Sequence, residues 1–209
     1  MNCPFTRVAN GWPEPKQCAF SNKCFIQSIT SRTSRRNPMP NSQATDQPSL
    51  PGTIGHIAGV ICSDGFPTGD RARLRRMVPG QPVPLAFTRF AVAHLPEDWE
   101  RQVDDWVTIV AGIATMAPGA HRPGHGLGRA LAEAGYSEAR LERLLDAQGD
   151  TRRTLLLRAA RYLAARQTPC DWADCARLLL TRDEAKADRL RLGIARDYFS
   201  NLKPESTAA

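Results

Sequence analysis

The stretch from residue 126 to residue 145, GLGRALAEAGYSEARLERLL, constrains the fold more than any other part of the chain. Its first half places apolar residues at i, i+3, i+4 and i+7, the spacing of one face of an α-helix. Gly135 follows, and glycine is the residue that most readily takes the left-handed conformation that ends a helix. Ser137 is a suitable N-cap for a second helix, whose leucines share one face. The stretch therefore predicts two short helices that meet at Gly135.

The second of these helices carries its basic and its acidic residues on opposite sides. Arg140 and Arg143 lie three positions apart on one side of the leucine face, whereas Glu142 and Asp146 fall on the other side. Bundle helices commonly expose such a charged, solvated rim, and this is the simpler interpretation. The alternative is a basic edge that faces a polyanion. The residues by themselves leave both interpretations open.

The rest of the chain shows the same helical periodicity, and no stretch of period two is long enough for a strand. We predict an all-α fold of about eight helices in two small packed helical subdomains, residues 51–118 and 126–202. The Gly/Pro-rich loop of residues 117–126, APGAHRPGHG, separates them as a hinge or boundary. Capping residues and prolines mark the expected helix starts. These are Thr68, Pro84, Pro96, Ser137, Asp150, Asp171 and Asp183.

Residues 1–50 are predicted to be a disordered extension. They are rich in Ser, Thr, Pro, Asn and Arg and contain few apolar residues. Three cysteines lie there, but no histidine precedes His56, so a closed four-ligand zinc site is not expected. An organellar leader fits by composition, although no amphipathic repeat supports it. A simpler hypothesis is that translation starts at Met39, so that residues 1–38 are not translated; mass spectrometry of the native N-terminus tests it.

The charge of the chain is a mild basic bias rather than a bulk polycation. The formal net charge is +7 and the sequence pI is about 9.4. Six of the 28 basic and two of the 21 acidic residues precede residue 49, which leaves a net charge of +3 for the remainder. A nucleic-acid role must therefore depend on a local arrangement of arginines. The uncharged run of residues 106–121 is too short to cross a membrane, and we expect a cytoplasmic protein with reduced thiols.

The sequence lacks the motifs of common enzymes. It contains no phosphate-binding loop of the G-x-x-x-x-G-K-S/T type, no H-E-x-x-H and no G-x-S-x-G. His121 and His125 are four residues apart, but the proline and the glycine between them exclude a helical metal pair. Acidic pairs, such as Asp104 and Asp105, are interpreted as helix-surface or capping residues. We expect no catalytic residues, no metal site and no cofactor.

Six segments recur in the order and spacing of a known family. They are GDRARLRRM, LAFTRF, GLGRALAEAGYSEARLERLL, LLLRAARYLA, DWADCARLLL and ARDYF. In these segments, over about residues 53–201, the chain resembles the CasB family, the small subunit of the type I-E CRISPR Cascade complex of antiviral defence. The resemblance implies an all-α protein with two helical subdomains and no catalytic site. It also implies contacts to the backbone and large subunits, to CRISPR RNA and target DNA within the complex, and to a second copy of the chain.

The resemblance further implies that the protein holds the displaced DNA strand and stabilises the R-loop. By position, Arg140 and Arg158 match basic residues of the family's groove, and Arg75 with Arg76 matches a basic pair near its N-terminal end. Arg129 lies within the matched LGRALA segment. Helix-face reasoning adds three further candidates. These are Arg101, Arg143 and Arg189.

One departure from the family concerns the loop before LGRALA, where related proteins often carry lysines. This chain offers Arg122 and two histidines there, so a contribution of the loop to DNA binding is not expected. The rival function is a helical adaptor that binds only protein and whose arginines are simply solvated. Binding of single-stranded DNA discriminates between the two functions.

Overall fold

The computed structural model describes residues 49–202. The expectations for residues 1–48, including the disordered extension and the start at Met39, lie outside the described residues. Within 49–202 the chain forms nine α-helices and one short 3-10 helix, Trp99–Gln102, and no strand. The helices are α1 (Leu50–Cys62), α2 (Thr68–Arg75), α3 (Leu85–His94), α4 (Val103–Met116), α5 (Leu127–Glu133), α6 (Glu138–Asp146), α7 (Gly149–Ala165), α8 (Trp172–Leu180) and α9 (Glu184–Ser200). The predicted all-α class is confirmed.

Helix α4 is the central element of the fold. It packs against α1, α2, α7 and α8, and its residues from 105 to 114 are buried all round. A helix that is apolar on every side belongs in a core, which explains why the stretch around Trp106 carries so few charges. The indole ring of Trp172 lies where a Cβ on Gly112 would be, so the glycine lets α8 approach α4 closely.

Helices α5 and α9 cross at a similarly close distance. A Cβ on Gly128 would collide with the main-chain carbonyl oxygen of Ile194, which is a rigid neighbour. Near this crossing, the hydroxyl of Tyr198 donates a hydrogen bond to the carbonyl oxygen of Tyr136. Gly135 has φ +75°, so the predicted left-handed turn between α5 and α6 is confirmed. These contacts fix the α5–α6 pair on the C-terminal helix.

Several predicted helix starts differ in detail. Thr68 is the first residue of α2 rather than its cap, because Pro67 occupies the cap position. Asp150 lies in the first turn of α7, one residue beyond its start at Gly149. The helix predicted from Pro96 begins instead with the 3-10 helix. Asp171 and Asp183 do cap α8 and α9, since their side chains accept hydrogen bonds from main-chain N–H groups.

Two side chains lie where the sequence did not place them. Asp105, interpreted as a surface or cap residue, is only 2% exposed. Its carboxylate pairs with Arg153 at 2.7 Å and with Arg182 at 2.7 Å. The apolar pattern of the last helix predicts both Tyr198 and Phe199 within the core, but Phe199 is 50% exposed. Adjacent residues on a helix point about 100° apart, and Tyr198 takes the buried position.

The loop of residues 117–126 is tied to the connection between α7 and α8. The ring nitrogen Nδ1 of His121 accepts a hydrogen bond from the main-chain N–H of Trp172 at 3.1 Å. The main-chain N–H of Arg122 donates to the carbonyl oxygen of Cys170 at 3.1 Å. One continuous set of buried apolar residues extends from α1 to α9. The boundaries of the two subdomains, 51–118 and 126–202, stay a prediction.

Candidate nucleic-acid interface

Two tyrosines meet where the start of α6 lies against α7. The rings of Tyr136 and Tyr162 pack edge to face, with their centroids 5.2 Å apart. The Tyr162 hydroxyl donates to the carbonyl oxygens of Gly135 at 2.8 Å and Ala134 at 3.2 Å. These carbonyl groups belong to the turn between α5 and α6, where the left-handed Gly135 directs the chain into the next helix. The tyrosine pair therefore joins the two halves of the stretch from residue 126 to 145 to α7.

Three exposed arginines surround the tyrosine pair. The Cζ atom of Arg140 lies 5.8 Å from the ring centroid of Tyr162 and 6.0 Å from that of Tyr136. The Cζ atom of Arg166 lies 5.2 Å from the Tyr162 centroid. Burial raises the pKa of the Tyr136 hydroxyl, and the nearby positive charges of Arg140 and Arg158 oppose that rise. We call Arg140, Arg158 and Arg166, with the two tyrosines, the arginine–tyrosine cluster.

The cluster has cations that no described carboxylate neutralises. Arg140, Arg158 and Arg166 are exposed and form no salt bridge with any residue from 49 to 202. An arginine stacked on an aromatic ring keeps the N–H groups at its edge available to a phosphate or carboxylate. The cluster is therefore a preorganised set of donors for an anionic ligand.

The eight arginines predicted from the sequence are all exposed, but they are distributed over several elements. The structure brings Arg140 and Arg158 to the tyrosine pair, and Arg143 follows Arg140 on the same helix. Arg75 ends α2, and Arg76 follows it. Arg101 lies in the 3-10 helix. Helix α2 packs mainly against α3 and α4, away from the α6–α7 contact.

Arg129 and Arg189 have different surroundings from the cluster. The Nε of Arg129 donates to Glu133 at 2.8 Å, an ion pair that raises the pKa of Arg129 and lowers that of Glu133. Glu133 also contacts Nε2 of the buried His125 at 3.0 Å. Arg189 lines a cleft of about 340 Å³ beside α9, together with the carboxylate of Asp174. Neither arginine is placed next to the tyrosine pair by a described contact.

Sequence reasoning missed the tyrosine pair and Arg166. The periodicity of this helix predicts Tyr162 only as part of its core stripe, and Arg166 is not among the site residues predicted from the sequence. A signal was nevertheless present, because Arg158, Tyr162 and Arg166 follow each other at intervals of four residues and so share one face of a helix. Tyr136 and Arg140 repeat the same interval on the facing element. The spacing of arginine with tyrosine, rather than arginine alone, identifies this surface.

The described residues offer no metal site. No group of three or more histidine, cysteine, aspartate or glutamate side chains within 49–202 is arranged to hold an ion. In the loop before α5, Nδ1 of His125 lies 2.7 Å from the carbonyl oxygen of Pro169, and its other nitrogen faces Glu133. The thiol of Cys175 is buried beside Cys170, which raises its pKa well above the ordinary thiol value and leaves it unreactive.

No helix within the described part of the chain is long and apolar enough to cross a membrane. Fold and surface together define a class: a small all-α protein that exposes unpaired arginines beside aromatic rings. A family model described as CRISPR-associated protein Cse2 matches residues 70–199. The chain belongs to this Cse2 (CasB) family, the small subunit of the type I-E CRISPR Cascade complex. A comparison with curated proteins gives no match.

Proposed function

We propose that this chain is the non-catalytic small subunit that binds the displaced DNA strand and stabilises the R-loop of its surveillance complex. Exchange of DNA base pairs for RNA–DNA base pairs is nearly balanced in free energy, so modest contacts to the displaced strand can shift it. Such contacts need positive charge along the strand and no sequence reading. The observation that carries the proposal is the arginine–tyrosine cluster, whose three cations have no described acidic partner.

Binding of single-stranded DNA by the full chain tests the proposal. We expect weak binding of a fluorescent oligo(dT), with log affinity falling against log salt by about 0.7 for each phosphate neutralised. The double variant Arg140→Ala/Arg158→Ala removes two such contacts, and its slope should be shallower by about 1.4. Fluorescence anisotropy at four or five salt concentrations gives both affinity and slope.

The matched control is Arg89→Ala/Lys186→Ala, which removes the same charge from two exposed residues on α3 and α9. We expect its affinity to lie within about twofold of the unaltered chain, because long-range attraction between exposed charges is screened at physiological salt. Equal losses in both double variants would contradict the assignment of the site. No measurable binding of DNA by any form at low salt would favour the protein-only adaptor.

The adaptor function has its own supporting observation. Leu85 and Val92 on α3 are each 76% exposed, and Leu192 on α9 is 70% exposed. Leu85 and Val92 are seven residues apart and so share one face of α3, and a contiguous apolar patch on a surface is typical of a contact to protein. In the proposed function they serve docking to the backbone and large subunits or to a second copy of the chain. The further proposed partners are the CRISPR RNA and the target DNA within the complex, and the proposed location is the cytoplasm.

A further inference from the structure

The ring of Tyr162 is held from both ends before any ligand binds. Its hydroxyl is fixed by the carbonyl oxygens of Gly135 and Ala134, and its ring packs edge to face with that of Tyr136. The carbonyl group of Tyr136 in turn accepts the hydrogen bond from Tyr198, which is buried on α9. The orientation of the Tyr162 ring is therefore set by contacts within the protein, of which the Tyr136 contact continues to the buried Tyr198.

Arginine side chains on a protein surface normally sample many rotamers, and ordering them on a ligand costs free energy. A ring that holds a guanidinium group by cation–π attraction reduces that cost. Tyr162 does this for two arginines from different elements: Arg140 on α6, and Arg166 at the C-terminal cap of α7. The ring of Tyr162 thus holds the guanidinium group of Arg140, from α6, close to the arginines of α7.

Arg158 and Arg166 lie on the Tyr162 face of α7, and Arg140 reaches the same ring from α6. Arg158 lies four residues before Tyr162 and Arg166 four residues after it, and each interval rises about 6 Å along the helix axis. The guanidinium group of Arg140 lies over the Tyr162 ring, with its Cζ atom 5.8 Å from the ring centroid. Three cations from two neighbouring elements around one ring suit neighbouring phosphates of one extended strand rather than a single isolated anion.

We propose that Tyr162 is a positioning residue for strand binding and that Arg166 is a direct phosphate contact beside Arg140 and Arg158. The inference rests on the proposed function and deepens it. The guanidinium groups occupy the Tyr162 ring, so the ring does not serve as a stacking platform for bases. The contact is to the sugar–phosphate backbone, and it is independent of base identity.

Two substitutions of Tyr162 test its role without changing the net charge. Tyr162→Leu removes the ring, and it should weaken oligo(dT) binding about fivefold or more, since both stacked guanidinium groups lose their support. Tyr162→Phe keeps the ring and should bind within about twofold of the unaltered chain. Thermal unfolding of each variant establishes that it is folded at the temperature of the assay. Unchanged binding by Tyr162→Leu would overturn the inference.

Arg166 has a matched control on the same helix. Arg161 is also exposed and has no described salt bridge, but it does not lie over the ring. Arg166→Ala should lower the salt slope by about 0.7, the loss of one phosphate contact, whereas Arg161→Ala should lower it by clearly less. This pair does not depend on the folding of the Tyr162 variants. Equal effects of the two arginine substitutions would contradict the assigned contact.

An oligonucleotide of abasic sites tests whether bases take part. The unaltered chain should bind it within about twofold of oligo(dT) of the same length, and a loss of tenfold or more would overturn the backbone-only contact. Failure of this inference is distinguishable from failure of the proposed function. If Arg140→Ala/Arg158→Ala weakens binding while Tyr162→Leu and Arg166→Ala do not, only the inference fails. If no form, the unaltered chain included, binds DNA at low salt, the proposed function fails as well.

Discussion

Asp105 is a single carboxylate that connects three parts of the fold. It lies near the start of α4 and pairs with Arg153 of α7 and with Arg182 of the loop before α9. A buried carboxylate is tolerated only when its charge is compensated, and two arginines that hydrogen-bond both oxygens provide this compensation. Removal of the carboxylate leaves Arg153 with only its outer partners, Asp104 and the exposed Asp150.

We predict that Asp105→Ala lowers the free energy of unfolding by about 3–5 kcal/mol, the range found when one partner of a buried ion pair is deleted. Urea unfolding of the full chain, followed by circular dichroism, measures the loss. Asp146→Ala is the control, because Asp146 is exposed at the end of α6, and it should change stability by less than about 0.5 kcal/mol. Equal effects of the two substitutions would show that the buried pair does not stabilise the fold.

The position of Asp105 could not be read from the sequence. An acidic pair beside an apolar helix ordinarily caps or faces water, and its partners here are 48 and 77 residues away along the chain. The partner of Arg129 could not be read from the sequence either, and here the partner weakens a predicted site residue. Its segment matches the family, but the ion pair with Glu133 competes with any DNA phosphate for its guanidinium group. Local spacing predicts which face a residue occupies, not which partner it meets there.

The crossing of α5 and α9 depends on the absence of one side chain. Gly128→Ala would place a methyl group against the main-chain carbonyl oxygen of Ile194. The clash cannot be relieved by a change of side-chain rotamer, because the contacting atom belongs to the main chain of α9. We predict a loss of about 2–3 kcal/mol in unfolding free energy, the upper part of the range for overpacking. Urea unfolding of the variant and of the unaltered chain measures this loss of unfolding free energy.

Gly59→Ala is the matched control for this substitution. Gly59 lies within α1, where a Cβ would meet no atom within 4 Å. Alanine at such an exposed helical site should stabilise the protein by about 0.5–1 kcal/mol through the lower entropy of the unfolded chain. A Gly128→Ala protein as stable as the unaltered chain would contradict the tight crossing, whatever the result at Gly59.

At the scale of single elements, the sequence predicts well where helices begin and end, and poorly how much of each helix surface is buried by the helices packed against it. The turn at Gly135 and the caps at Asp171 and Asp183 follow from local rules, and all three are confirmed. The exposure of Phe199 does not follow from such rules. Helix α9 packs mainly against α5 and α8, so only one narrow stripe of its surface is buried, and periodicity alone cannot give the width of that stripe.

For the whole molecule, the central claim is that a packed set of helices presents arginines to a DNA strand. Family membership establishes a Cascade subunit. The strand contact is a proposal supported by the arginine–tyrosine cluster, where Arg140 and Arg158 both lie near Tyr136 and Arg166 lies over the ring of Tyr162. The remaining candidate arginines lie on other elements and stay predictions. Their contribution can be compared with that of the cluster one substitution at a time.

The lifetime of the R-loop in the complete complex tests the central claim most directly. Complexes that carry Arg140→Ala/Arg158→Ala in this subunit should assemble with normal composition. Their R-loops should dissociate about fivefold faster or more, since two exposed charge contacts together contribute roughly 1 kcal/mol. Complexes with Arg89→Ala/Lys186→Ala should retain the lifetime of the unaltered assembly. An unchanged lifetime in correctly assembled Arg140→Ala/Arg158→Ala complexes would contradict the claim that this surface holds the displaced strand.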